Sequence, residues 1–265
     1  MREYPCKVVA GLRLSFENLW AGVSLAAGAA GTAFIKITGD EKLLSDIAVN
    51  ATPRDITIKG NDRRGSGGVT VISGRGNRIS VSNVRGNGVI VSGDSVISIG
   101  SGMKRTTVIV DGKVVSGDVS ATTIDELPQI HVTVPKGTDL EVYDVEKLDS
   151  RGLGGKLVCS LSGQGSLTAS DVRELKAKCS GQTECRIMNV VGDAKLNASG
   201  QSSIEVQGNL NDVEADASGQ SGITINGNCR DFSGDTSGQS HIDLLGKASG
   251  RVRHKESGQS RISLR

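Results

Sequence analysis

The chain has 265 residues, 36 of them Gly, with 2% aromatic residues, 4 Pro and a formal net charge of +2. Such Gly content without a G-X-Y period excludes collagen, and abundant Val, Ile and Leu exclude a disordered chain. The small net charge argues against a dominant nucleic-acid or membrane-surface partner.

In chain order, the N-terminal stretch "MREYPCKVVAG" lacks the apolar core of a signal peptide. The run "LWAGVSLAAGAAGTAFIKI" at 19–37 approaches membrane-spanning length. Its glycines and small residues predict two strands around a turn instead, with no membrane span. Further strands are predicted at "DITIKG", "GVTVI", "RISVS", "GVIVSGDSVISIG", "TTVIVDGKVV" and "IHVTVP", separated by Gly, Asn and Asp turns. "VIVDGK" carries a hairpin-type Asp-Gly, and no helix of convincing length is predicted. Residues 1–150 therefore read as a strand-rich region, with 61–118 as an insertion or extra hairpins. The segment 61–118 is basic through Arg63, Arg64, Arg75, Arg78, Arg85, Lys104 and Arg105. A solvated loop face is preferred there over a contact with an anionic polymer. "GRGN" and "GSGMK" open no helix, so a phosphate loop is unsupported.

From 151 to 265 a repeat dominates. Ser-Gly-Gln begins at Ser162, Ser180, Ser199, Ser218, Ser237 and Ser257, in steps of 18, 19, 19, 19 and 20 residues. Five residues after each serine come Leu167, Cys185, Ile204, Ile223, Ile242 and Ile262, and seven after come Ala169, Ile187, Val206, Ile225, Leu244 and Leu264. Five before stand Leu157, Leu175, Ala194, Val213, Phe232 and Val252, and one before stand Leu161, Cys179, Ala198, Ala217, Thr236 and Glu256. This period of two marks a short strand with one buried face on each side of the tripeptide. A third inward column is expected through Val191, Leu210, Cys229 and Ala248. Such a strand pair cannot bury its face alone, but stacked copies can.

The expected fold is all-β. It is a right-handed parallel β-helix of about 19-residue coils in the C-terminal half, continued or capped by the N-terminal half in one continuous domain. Ser-Gly-Gln is then a corner, with Gly supplying the backbone freedom and the glutamines stacking as an amide ladder. In the last coil His254 and Glu256 take inward places amid basic residues, as expected of a charged, protected edge.

The five cysteines are Cys6, Cys159, Cys179, Cys185 and Cys229. They are odd in number and lack CxxC or Cys/His spacing, so neither a disulfide framework nor zinc is expected. Cys179, Cys185 and Cys229 fall on inward columns and read as small core residues. Among outward positions, Glu214, Asp216 and Asp235 group together, with Asp216 and Asp235 one rung apart. Flanking lysines and arginines make a solvated face with cross-rung pairs the first reading. A hard-cation or glycosidase-like site is the second. His241 and Asp243 lie outward on one strand with no nucleophile aligned, so they are not read as an acid–base pair. Candidate binding residues are Glu214, Asp216 and Asp235 on that face, and Gln201, Gln220 and Gln239 on the repeated edge. No catalytic residue, metal or cofactor is expected.

The segments "FENLWAGVSL", "AFIKITGDEKLLSDI", "ITIKG", "IHVTVPKGTDLEVYDV" and "LNASGQSSIEVQGNLNDVEADASGQSGITING" resemble, in that order, the head GIN domain family of auto-transporter adhesins. The resemblance covers most of the chain and fits least over 61–118. It implies a parallel β-helix and a bacterial envelope or extracellular setting, although free cysteines also suit the cytoplasm. Adhesion follows from the family label alone, and no catalytic residue is carried over. The expected function is a non-enzymatic structural or interaction protein with a protein or glycan partner. Alternatives are a carbohydrate-active β-helix enzyme on the Glu214/Asp216/Asp235 face, or an oligomerising subunit of a capsid or envelope layer.

Overall fold

A computed structural model describes residues 1–39, 41–60 and 127–264. Between 61 and 126 it describes strand residues 70–73, 78–81, 89–92, 96–99, 108–110 and 113–114. In chain order the elements are β1 (Arg2–Lys7), β2 (Arg13–Gly28), β3 (Thr32–Thr38), α1 (Glu41–Leu44), β4 (Ala48–Ala51) and β5 (Asp55–Lys59). Next come β6 (Thr70–Ser73), β7 (Arg78–Val81), β8 (Val89–Ser92), β9 (Val96–Ile99), β10 (Val108–Val110) and β11 (Lys113–Val114). They are followed by β12 (Gln129–Pro135), β13 (Thr138–Arg151), β14 (Gly154–Leu161), β15 (Gln164–Val172), β16 (Glu174–Cys179) and β17 (Gln182–Val190). The last are β18 (Ala194–Ala198), β19 (Ser203–Gly208), β20 (Leu210–Ala217), β21 (Gly222–Asn226), β22 (Cys229–Thr236), β23 (His241–Leu244), β24 (Val252–Glu256) and β25 (Arg261–Leu264). Among the described residues the chain is all-β apart from one short helix. Between residues 138 and 264 it winds a parallel β-solenoid of about 7 turns with ~19-residue coils.

Two compact units are distinguished: residues 1–61 with 127–265, and residues 62–126. In the smaller unit, β6 pairs in parallel with β8, β8 with β10, and β7 with β9. Thr70 faces Val89, which faces Val108, so this segment steps by about one 19-residue coil as well. β10 and β11 are antiparallel, with Val110 opposite Lys113 across the Asp-Gly step. The other basic positions named above, Arg63, Arg64, Arg75, Arg85, Lys104 and Arg105, lie outside the described residues.

In the larger unit every coil contributes one strand to each of two faces. On the first face β14, β16, β18, β20, β22 and β24 pair in parallel. On the second, β15, β17, β19, β21, β23 and β25 do so. The inward columns follow the predicted register and are buried up to the last coil. There, residues 251–259 are exposed, and Glu256 accepts the Ile262 N–H at 2.8 Å. The third column needs correction. Val191 is 62% exposed, and Val190, at 0%, is the buried residue. Asn189 takes a left-handed φ of 58° in a bulge that sets one extra residue between Ile187 and Val190 relative to the next coil, so Val190 pairs with Gly208 and Val191 turns out. Leu210, Cys229 and Ala248 do share a column.

Within this unit, residues 1–60 and 127–151 extend the same core. β2 and β13 are long strands that each turn the corner and serve both faces. Their first halves pair β5 to β2, β2 to β13 and β13 to β14, and their second halves carry the second face. The column of Leu157 thus runs back through Leu140 and Leu14 to Ile56, and that of Leu167 through Leu148, Val23 and Ile130 to Ile37. The apolar run at 19–37 forms parts of β2 and β3, joined by a turn. β12 lies between them, parallel to β2 and antiparallel to β3. Among the described residues no helix is long and apolar enough to cross a membrane.

Candidate functional site

Each Ser-Gly-Gln corner is built the same way. Gly181, Gly200, Gly219, Gly238 and Gly258 have φ between 72° and 79°, a region that only glycine enters freely. They also stack backbone on backbone: a Cβ on Gly219 would stand 3.1 Å from both N and O of Gly200. The following glutamines are exposed and form one continuous amide ladder. Gln164 donates to Gln182, then Gln182 to Gln201, Gln201 to Gln220, Gln220 to Gln239 and Gln239 to Gln259, at 3.0–3.3 Å. Gln201, Gln220 and Gln239 each give one N–H and one carbonyl lone pair to this ladder.

A residue that sequence reasoning missed sits behind this edge. Ser202, Ser221 and Ser240 follow the glutamine and are buried. The Ser221 Oγ accepts the Ser218 N–H at 3.2 Å and donates toward the carbonyls of Ser218 (2.9 Å) and Ala198 (3.0 Å). Ser202 and Ser240 donate likewise, toward the carbonyls of Ser199 and Cys179 and of Ser237 and Ala217. The signal was the fourth letter of S-G-Q-S, which recurs in the last four copies.

Beside this edge runs the outward column Lys178, Asn197, Asp216, Asp235 and Lys255. Asp216, Asp235, Asn197 and Lys255 line a shallow groove together with Ser218 and Ser237 of the corners. The structure thus brings Asp216 and Asp235 together. Glu214 is held instead by the Lys195 ammonium at 2.8 Å, a cross-rung pair of the kind expected. Partial burial, then Glu214 and Asp235, raise the Asp216 acid above its ordinary value, against the pull of Lys195. Among the described residues no cluster of three or more His, Cys, Asp or Glu could hold a metal ion. His241 is exposed over Gly222 with Arg261 on the next rung, and Asp243 lies within 3.7 Å of Arg261.

The second face carries a longer outward row. It passes through Glu3, Lys36, His131, Ser24, Asp149, Thr168, Arg186, Glu205, Thr224, Asp243 and Ser263 on adjoining strands. Within it, Ser24 Oγ and His131 Nδ1 are 2.6 Å apart. Asp149 adjoins the serine on its far side, away from the imidazole, and is held by Arg151 at 2.9 Å. Among the described residues no carboxylate is hydrogen-bonded to the imidazole, as the orienting group of a hydrolytic triad would be. The pair was not legible in the sequence, because 107 residues separate its members.

No curated protein and no solved structure matches the chain. Residues 119–265, more than half of the chain, match the family described as "Putative auto-transporter adhesin, head GIN domain". With its stacked Ser-Gly-Gln corners and parallel solenoid, the chain belongs to that family.

Proposed function

We propose that the protein is a non-enzymatic interaction module, its solenoid presenting periodic polar rows to a protein or glycan partner at a bacterial envelope or outside the cell. One observation carries this reading: the outward row from Glu3 to Ser263 crosses eleven adjoining strands. At a strand spacing of ~4.8 Å this gives roughly 48 Å of continuous outward-facing sheet. Side chains at fixed spacing on a rigid sheet match a partner with repeating groups at little ordering cost. Family membership supports the adhesin-like reading, and the groove offers carboxylates, an amide and hydroxyls beside an ammonium.

The test is a glycan array together with a polysaccharide-hydrolysis panel. The expected result is saturable binding without turnover, with binding weakened in Asp216→Asn/Asp235→Asn. Turnover that disappears in that folded double variant would replace this reading with a second one, a carbohydrate-active enzyme. That alternative is favoured by the raised Asp216 acid beside Asp235 on the next rung. A retaining glycosidase places its two carboxyl groups about 5–5.5 Å apart.

A further inference from the structure

Three thiols are buried together where the regular coils begin. Cys159 lies in β14, Cys179 closes β16 and Cys185 lies in β17. Cys179 and Cys185 have 0% exposure, and their Sγ atoms are 2.8 Å apart. The two residues flank the corner Ser180-Gly181-Gln182 from inside. One coil further, their places are taken by Ala198 and Ile204, which cannot bond to each other.

We propose that Cys179 and Cys185 form a disulfide when the chain folds in the presence of a disulfide oxidant, stapling the second Ser-Gly-Gln corner from within. The thiolate of one cysteine attacks a sulfur of the oxidant R–S–S–R, expelling one R–S⁻ and forming a mixed disulfide. The second cysteine's thiolate attacks the protein sulfur of that mixed disulfide and expels the other R–S⁻. The two cysteine protons end on the two released thiols, so two protein thiols are oxidised and one small disulfide is reduced. In the closed fold, hydrogen bonding with Cys159 and Cys179, and burial, push the Cys185 thiol well up. Both residues have 0% exposure in the closed fold, out of reach of a dissolved disulfide, so exchange belongs to folding, before the coils close over the pair. The staple would fix the turn under Gln182, a rung of the glutamine ladder.

The chain itself supplies a clean readout. Trypsin cuts after Lys178 and after Arg186, releasing Cys-Ser-Gly-Gln-Thr-Glu-Cys-Arg with both cysteines in one peptide. The full-length protein is refolded with glutathione disulfide or with dithiothreitol. The folded monomer fraction is alkylated with N-ethylmaleimide in denaturant, digested without reduction and weighed. The expected result is that this peptide is unalkylated and lighter by two hydrogens after oxidative refolding, and doubly alkylated after reductive refolding. The thermal midpoint of the oxidised protein lies above that of the reduced protein. A Cys179→Ala/Cys185→Ile variant, carrying the residues of the next coil, has a midpoint that glutathione disulfide does not move. Double alkylation in the oxidised, folded protein overturns the proposal. So does a cross-link from Cys159, which would join two different tryptic peptides, or a failure of the oxidised chain to reach the folded fraction.

Discussion

At the scale of single residues, two neighbours in one corner separate ornament from structure. Gln220 is exposed and trades one amide bond with each adjoining rung, bonds that water replaces when the side chain is lost. Ser221 is buried, and truncating it takes the hydroxyl donor from the Ser218 carbonyl, while the Ser218 N–H and the Ala198 carbonyl keep their bond to each other at 2.9 Å. Ser221→Ala is expected to lower unfolding stability by about 1–3 kcal/mol, and Gln220→Ala by under about 1 kcal/mol. Urea denaturation of the two variants checks the order. Asp216 provides a pH test. Its folded-state acid is raised above the unfolded value, so the folded protein holds that proton more tightly. Stability contributed by this site is present below the ordinary carboxylate range and falls as pH rises through the raised value. Asp216→Asn is therefore expected to raise the urea midpoint at neutral pH, with the gain vanishing in acid. A midpoint unchanged at every pH would show that the site is not destabilised by its neighbours.

At the scale of the strand, alternation decides which substitutions matter. Ile223 in β21 has 0% exposure and stacks between Ile204 and Ile242, so Ile223→Asp buries a carboxylate without a partner. A loss of several kcal/mol is expected. Val191, placed in an inward column by simple counting, points out, and Val191→Asp is expected to stay within about 0.5 kcal/mol. Thermal melts of both variants test the corrected register. The same contrast shows what the sequence revealed about strands. From 157 onward the tripeptide numbers each coil, and the inward columns follow by counting. Before it, the marker is absent. Asn18 and Asp144 take left-handed corner conformations with φ of 50° and 52°, without a glycine to signal them. The strands also stack out of chain order, β5 against β2 and β2 against β13. The alternation of Ile56 and Ile58 was visible, but nothing local said that it continues the columns of Leu157 and Cys159 by way of Leu14/Phe16 and Leu140/Val142. The candidate face divided in the same way. Asp216 beside Asp235 followed from counting, whereas Ser24 against His131 depended on a long-range register. The buried serine behind each glutamine was in plain view, but the burial that makes it structural was not.

At the scale of the whole solenoid, neighbouring coils are the unit of stability. Each regular coil bonds to the one before and the one after, so stability is approximately a sum of coil and interface contributions. That makes a whole coil removable where a fraction of one is not. Deleting residues 199–217 joins Ala198 directly to Ser218, which keeps a Ser-Gly-Gln corner after an inward alanine. β21 then falls onto β17, placing Ile223 over Cys185 and Ile225 over Ile187. β22 falls onto β18, placing Phe232 over Ala194, because both old pairings passed through the deleted coil. Gln182 meets Gln220, so the amide ladder closes with one rung fewer. Lys195 loses Glu214 and Arg186 loses Glu205, but these pairs are exposed and screened by solvent, so their loss weighs little. The shortened protein is expected to keep a β-type circular dichroism spectrum and a cooperative melt, at a lower midpoint. Deleting residues 199–207 instead removes one strand of the pair and brings β20 to the place of β19, so the inward columns no longer meet. That variant is expected to be unfolded or aggregated. If both deletions fold equally well, or neither folds, the stability of this molecule does not reside in its coil-to-coil interfaces.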